Sequence, residues 1–184
     1  MSLMNCTTAT RLHIRPWTGG DDALAITGVL HRAYRPQVDA GLRPLAGRQT
    51  PETTAERIAH ARCLLAEASS VHESGETIVR LAGVILLDER ESALFPALFK
   101  EPGVAHFSMF AVEPELQGLG IGARLLDAVE ERARADGRST LACSMAGPDA
   151  ALKDWYFRRG YTVHGTWQWP YTNYQSLILA KPLG

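Results

Sequence analysis

Cysteine is scarce in this chain, no long apolar run occurs, and neither sign of charge dominates. The three cysteines, Cys6, Cys63 and Cys143, are odd in number, far apart and without a C-x-x-C pair. Neither a disulfide framework nor a thiolate zinc site is indicated, and they read as reduced thiols. The longest apolar run, Leu81 to Leu87, is broken by Gly83 and falls far short of the ~18 residues that cross a bilayer. Met1 to Arg11 is polar, without the apolar segment of a secretory signal. A cytoplasmic location with no membrane partner is the expectation. Lys plus Arg number 19 against 20 Asp plus Glu, a net charge of −1, which leaves no basic field to hold a phosphate backbone; nucleic acid is not an expected partner. The six histidines are not spaced as a metal site, so no metal is expected.

What is present is enough apolar material for one good core. At 184 residues and 46% hydrophobic, the chain reads as a single domain over 1–184 that needs no staple. No repeat of ~20–50 residues is visible, which excludes solenoids and propellers.

Leu12 and Ile14 alternate with His13 and Arg15, predicting a short strand. Asp21 or Asp22 then caps a helix with apolar positions Leu24, Ile26, Val29, Leu30 and Ala33, which Pro36 is expected to end near Tyr34. Arg35 to Gln49 reads as a basic loop. Thr50 and Pro51 start a second helix, whose face Ile58, Ala61, Leu65 and Ala68 predicts an end by Ser70. Thr77 to Leu87 is either one bulged strand or two strands turning at Gly83, and the hairpin is favoured. Val104 to Val112 is a strand buried on both faces. From Gly120 to Asp136 runs an amphipathic helix, with Ile121, Leu125, Leu126, Val129 and Ala133 inward, Glu130 among the outward charges, and Gly137 as its C-terminal cap. Ser139 to Met145 is a strand, Asp149 to Arg159 a helix closed by Gly160, and Tyr161 to Trp167 and Gln175 to Ala180 are the last strands. The order is mixed α/β.

The strand ending at Val112, the turn Gln117-Gly118-Leu119-Gly120-Ile121-Gly122 and the helix after it form an anion site. Free N–H groups of a first helical turn point outward along the positive end of the dipole, and glycine lets a diphosphate approach. Gly118, Gly120 and Ala123 formally satisfy G-x-G-x-x-A. However, only roughly 60 residues follow, too few for a second βαβαβ half, and no acidic residue ends the next strand. A P-loop is excluded because no Gly-Lys-Ser/Thr follows.

Val112 to Leu126, VEPELQGLGIGARLL, closely resembles the signature of the GNAT superfamily of acyl-CoA N-acyltransferases. Gln117, Gly120 and Gly122 meet its pattern of Gln or Arg, two residues, Gly, one residue, then Gly or Ala. Trp155 to Tyr161, WYFRRGY, resembles a second family element, the helix ending in Tyr-x-x-x-Gly-Phe/Tyr. Together they span roughly residues 104 to 180. The resemblance implies an α/β (α+β) acyl-CoA N-acyltransferase fold, with a mixed, largely antiparallel central sheet flanked by helices. It implies acetyl-CoA as cofactor, with the pantetheine arm on backbone groups of Phe110, Ala111 and Val112 and the diphosphate on amides from Gln117 through Gly118, Leu119, Gly120, Ile121 and Gly122 to Ala123. The Phe110 amide is expected to polarise the thioester carbonyl. Asp149 stands where many relatives carry Asn, which puts the usual side-chain contact to that arm in question.

An alkyl amine is almost wholly protonated at neutral pH, so acyl transfer to it needs a proton acceptor. His106, read as sharing its side-chain direction with Ser108 and Phe110, is the expected base, with Glu113 or an ordered water as rivals. Tyr156 matches the tyrosine to which the family often gives the protonation of the departing thiolate. For the acceptor, Arg35, Arg43 and Arg48 are read as meeting an anionic group or as a solvated loop, and Ser108 faces the same site. Trp167, Trp169 and Tyr171 wall a pocket, pack the core or form a dimer face. The resulting expectation is acetyl transfer to a primary amine of a small molecule by direct attack in a ternary complex. A non-catalytic acyl-CoA sensor and a protein N-terminal, lysine or longer-chain acyltransferase are the alternatives, and a homodimer is the expected assembly.

Overall fold

A computed structural model describes residues 11–72, 74–89 and 92–184. Cys6 lies outside the described residues. The elements run β1 (Arg11–Pro16), α1 (Ala23–Asp39), α2 (Pro51–Ala59), β2 (Arg62–Val71), β3 (Thr77–Leu87), β4 (Val104–Val112), α3 (Ile121–Ala135), β5 (Thr140–Ala146), α4 (Ala150–Arg158), β6 (Thr162–Trp167) and β7 (Ser176–Pro182). The strands form one sheet in the order β1-β2-β3-β4-β5-β7-β6. Only β4 and β5 run parallel; the other neighbours are antiparallel. Among the described residues no helix is long and apolar enough to cross a membrane.

Alternation along β3 splits the core between the two sheet faces, because successive side chains of a strand point opposite ways. Val84 and Leu86 meet Ile26, Val29 and Leu30 of α1 on one face, and Ile85 and Leu87 meet Leu125, Leu126 and Val129 of α3 on the other. At about 25 cal/mol per Å² of apolar area, these two layers supply the main driving force for folding.

Four expectations are corrected. α1 does not end near Tyr34: Pro36 lies inside it and forfeits one backbone bond, while the stop comes at Gly41. There φ is +83°, and the Gly41 and Leu42 amides bond Val38 and Gln37 carbonyls in a Schellman close. The second helix stops at Ala59, and residues 62–71 are a strand pairing with both β1 and β3. Buried on two faces, that strand shows no polar alternation, so its apolar residues coincided with a helical spacing. Thr77–Leu87 is a single strand with a bulge, not a hairpin. Gly83 serves close approach rather than turning: a Cβ there would lie 2.7 Å from the Ala111 carbonyl oxygen. Glu130 is buried, not outward, and accepts from Lys181 Nζ at 2.7 Å and the Tyr161 hydroxyl at 3.2 Å.

Candidate active site

The chain leaves β4 through a 3₁₀ turn, Pro114–Leu116, and enters α3 through Gln117 to Gly120. Gly118 and Gly120 each have φ of +79°, which costs a side-chain-bearing residue free energy. Nothing lies within 4 Å of where a Cβ would stand on either. α3 has no side-chain cap at its start, and its first backbone bond runs from Arg124 N–H to Gly120 O. The amides of Ile121, Gly122 and Ala123 therefore have no intrahelical acceptor. An open surface of N–H groups at the positive end of a helix suits a diphosphate. Gln117 ties the turn back to β4 through its side-chain amide, 3.2 Å from the Val112 carbonyl.

A bulge in β4 shapes the other half. Val84 pairs with Ala111 and Leu86 with Ser108, so Met109 and Phe110 together oppose Ile85, and Met109 takes a left-handed φ of +46°. β4 and β5 pair only from Val104–Thr140 to Phe107–Cys143. Beyond Phe107 the edge of β4 toward β5 carries no ladder, the arrangement an extended ligand needs in order to bond the backbone as an added strand would. The extra residue also corrects the expected direction of Phe110. Its ring packs on Phe107 and Trp155, with centroids 6.0 and 5.9 Å away, whereas Ser108 faces Arg57 and Glu89. The Phe110 carbonyl accepts from the Tyr34 hydroxyl at 3.3 Å, a phenol that burial pushes up to about 12.

One cavity of about 710 Å³ joins the glycine turn to the bulge and continues past Tyr156 to His106, Glu89 and Trp169. Tyr156 is buried, against Phe107, Trp155 and Tyr161. Burial, reinforced by Cys143, raises its phenol well above the ordinary range, so it stays protonated. His106 is buried between Phe95 and Phe99, both rings 4.9 Å away. Its Nε2 has no hydrogen-bond partner. Burial lowers its basicity, against the opposing pull of Glu89 and Asp88, so the ring is neutral at pH 7. Glu89 is held by Arg57 Nε at 2.6 Å and Nη2 at 2.9 Å, and by the Ser108 hydroxyl. Burial works against its charge, but the Arg57 bonds outweigh that and hold its carboxyl below the usual range.

A family profile described as the Acetyltransferase (GNAT) family matches residues 36–163, well over half of the chain. The chain belongs to the GNAT acetyltransferase family. Its activity is acetyl transfer from acetyl-CoA. Among solved structures it is similar to the ribosomal-protein-S18-alanine N-acetyltransferase from Escherichia coli, at 16% identity and TM-score 0.66, covering 95% of each chain. It is also similar to the N-acetyltransferase from Staphylococcus aureus Mu50, at 16% identity and TM-score 0.65, covering 95% of this chain and 99% of that one. A third similar structure is yncA from Salmonella typhimurium, solved with its cofactor acetyl-CoA, at 18% identity and TM-score 0.64, covering 94% of each. At these identities the likeness is one of fold. No curated protein sequence matches.

The residues present fit acetyl-CoA: the N–H groups beside Gly118 and Gly120 are open, and the β4 edge lies beside them in one cavity. Within this GNAT chain the cavity brings together Phe110, Ala111, Val112, Gln117, Gly118, Gly120, Ile121, Gly122, Ala123, Asp149 and Tyr156 with His106, Ser108 and Trp169. Leu119 is exposed outside it. Asp149 caps α4 by accepting from Leu152 N–H at 3.0 Å, while Gln37 donates to its other oxygen at 2.9 Å. Glu113 is bound to Arg32 at 2.6 Å. Arg35 pairs with Asp39 on the exposed side of α1, Arg43 bonds Asn173 through its backbone, and Arg48 reaches the Tyr171 carbonyl; none of the three lines the cavity. Trp169 is buried, donating to Ser144 Oγ at 2.9 Å and stacking on Tyr171. Arg57, Glu89, Tyr34 and Phe95 line the cavity without having been singled out in the sequence. Their only trace there is a basic residue on a short helix, a carboxylate just after a buried strand and two isolated aromatics, and none belongs to a motif.

Proposed function

We propose that this GNAT chain, acting as one catalytic domain over residues 1–184, acetylates the primary amine of a small molecule by direct attack in a ternary complex. One observation carries this reading: a single cavity runs from the open amides of the glycine turn to His106, with Tyr156 on its wall. Acetyl-CoA, when bound, supplies an acyl group already activated as a thioester. The amides from Gln117 to Ala123 hold its diphosphate, and the free edge of β4 from Phe110 to Val112 orients its pantetheine arm. His106 takes a proton from the acceptor ammonium. Tyr156, kept protonated by burial, gives its phenolic proton to the sulfur side of the site and regains one from the second proton that the acceptor nitrogen sheds on becoming an amide. Positioning of two reactants in one cavity supplies much of the rate.

A small acceptor is supported by the aromatic walls that Trp169, Tyr171 and Phe95 give the far end of the cavity. A cytoplasmic setting is in keeping with the buried free thiols Cys63 and Cys143. The test is thiol release from acetyl-CoA against alkylamines, arylalkylamines, amino acids and polyamines, with a peptide bearing a free N-terminus as the contrasting acceptor. Turnover on a small amine and none on the peptide is expected. Turnover on the peptide alone would overturn the choice of acceptor.

A further inference from the structure

The far end of the main cavity combines an aromatic wall with a saturated charge network. Phe95, Trp169 and Tyr171 line it. The Trp169 and Tyr171 rings stack with centroids 5.6 Å apart, and Phe95 stands edge-on to Trp169 at 6.0 Å. The indole N–H of Trp169 is taken by Ser144 Oγ at 2.9 Å, so what this side chain has left to offer a ligand is ring surface. Such surfaces gain most from another ring, through burial and through offset or edge-on contact.

Among the described residues lining this cavity, the side chains that carry full charge at pH 7 are Arg57, Glu89 and Asp149. Asp149 stands at the positive start of α4 and accepts from Leu152 N–H and Gln37. Arg57 and Glu89 are consumed by each other. The carboxylate accepts from Arg57 Nε at 2.6 Å on one oxygen and from Nη2 at 2.9 Å on the other, which also takes the Ser108 hydroxyl. Nη1 donates to Oε1 of the buried Gln49 at 2.7 Å. A bidentate fork of this kind is a strong form of ion pair. It leaves the acceptor end with no uncommitted cation for an anionic group and no uncommitted anion for a second cation, among the described residues.

We propose that the preferred acceptor is an arylalkylamine, a primary amine on a short chain from an aromatic ring, and that the Arg57–Glu89 pair excludes acceptors bearing a second charge. This rests on the acetylation of small amines proposed above. Every such acceptor brings one ammonium, which loses its proton before attack. A second charge keeps its own and leaves water without a partner in the cavity, which is costly. A carboxylate beside the amine, as in an amino acid, needs the Arg57 fork that Glu89 already fills. A second ammonium, as in a diamine, needs a carboxylate whose charge Arg57 already matches. An aromatic body needs neither, and it meets Phe95, Trp169 and Tyr171. Arg57 and Glu89 are thereby specificity-determining residues.

The test uses two pairs of acceptors whose members differ by one charge: phenethylamine against phenylalanine, and butylamine against putrescine. In thiol-release kinetics with acetyl-CoA, kcat/KM of the wild type should be higher for the singly charged member of each pair by about a hundredfold or more. Phenethylamine should also exceed butylamine severalfold. Glu89→Gln keeps the size of the side chain and leaves the Arg57 charge unmatched. It should narrow the gap between phenethylamine and phenylalanine about tenfold and leave that between butylamine and putrescine as wide as before; a merely structural loss would slow all four alike. Phenylalanine or putrescine used as well as its partner would overturn the proposal, as would butylamine used as well as phenethylamine, and the wild type alone decides both. A folded Glu89→Gln with both gaps unchanged would remove the role of the ion pair. Preference for spermidine or an amino acid over phenethylamine would sink the arylalkylamine while small-amine acetylation stands, whereas no turnover of any small amine would remove that reading as well.

Discussion

Tyr156 and His106 face one cavity with opposite protonation states, and burial produces both. It raises the phenol and lowers the imidazole, because a low-dielectric wall disfavours either charged form. Tyr156→Phe removes the donor and keeps the ring that packs on Phe107 and Tyr161. It should cut kcat about a hundredfold while the rise in melting temperature caused by CoA stays the same; an unchanged kcat would remove the acid role. For His106 the sign follows from its depressed basicity: the wild-type acid limb of kcat/KM should lie below the ordinary 6.5. His106→Ala should lose most activity near neutral pH, with the deficit shrinking as pH approaches ~10, where the amine sheds its own proton. A loss that is uniform across a pH–rate profile would contradict it.

At the scale of elements, glycines and one bulge aim the site. Gly83 lets β3 lie against the bulged stretch of β4. Gly83→Ala should destabilise the fold by about 2 kcal/mol in urea unfolding, because the clash is with backbone, which cannot swing away. The glycine turn, α3, α4 and their Gly137 and Gly160 closes were legible in the sequence because each rests on local chemistry: positive φ, a helical apolar stripe, an orphan carbonyl. β2 and the length of α1 were not. Ile58, Ala61, Leu65 and Ala68 carry a helical spacing that two neighbouring strands override, and Pro36 sits in a helix that tertiary packing holds together. The bulge at Met109 leaves no mark in the sequence, so Phe110 was assigned the wrong side. Arg57 and Glu89 were missed for a related reason: a pair separated by 32 positions exists only once the sheet has brought β3's end beneath α2.

For the molecule as a whole, the two core layers meet in a sheet that splits between β4 and β5, and the reactive groups collect where it opens. The burial of His106 has a thermodynamic consequence. Its folded-state pKa lies below the value near 6.5 that it takes in the unfolded chain. The unfolded state therefore binds that proton first as pH falls. The stabilising contribution is full above about pH 6.5 and is lost as pH drops from there to the folded-state value. Melting temperature should decline over that window in the wild type and more shallowly in His106→Gln; equal slopes would mean that the imidazole is not held neutral by burial. The central claim is that one cavity joins an acetyl-CoA site to a proton acceptor for an amine. Thiol release from acetyl-CoA, followed with and without each amine of the panel, tests it most directly. The account predicts release that depends on a small amine and matches the N-acetylated product one for one, and thiol release at the same rate with every amine as with none would contradict it.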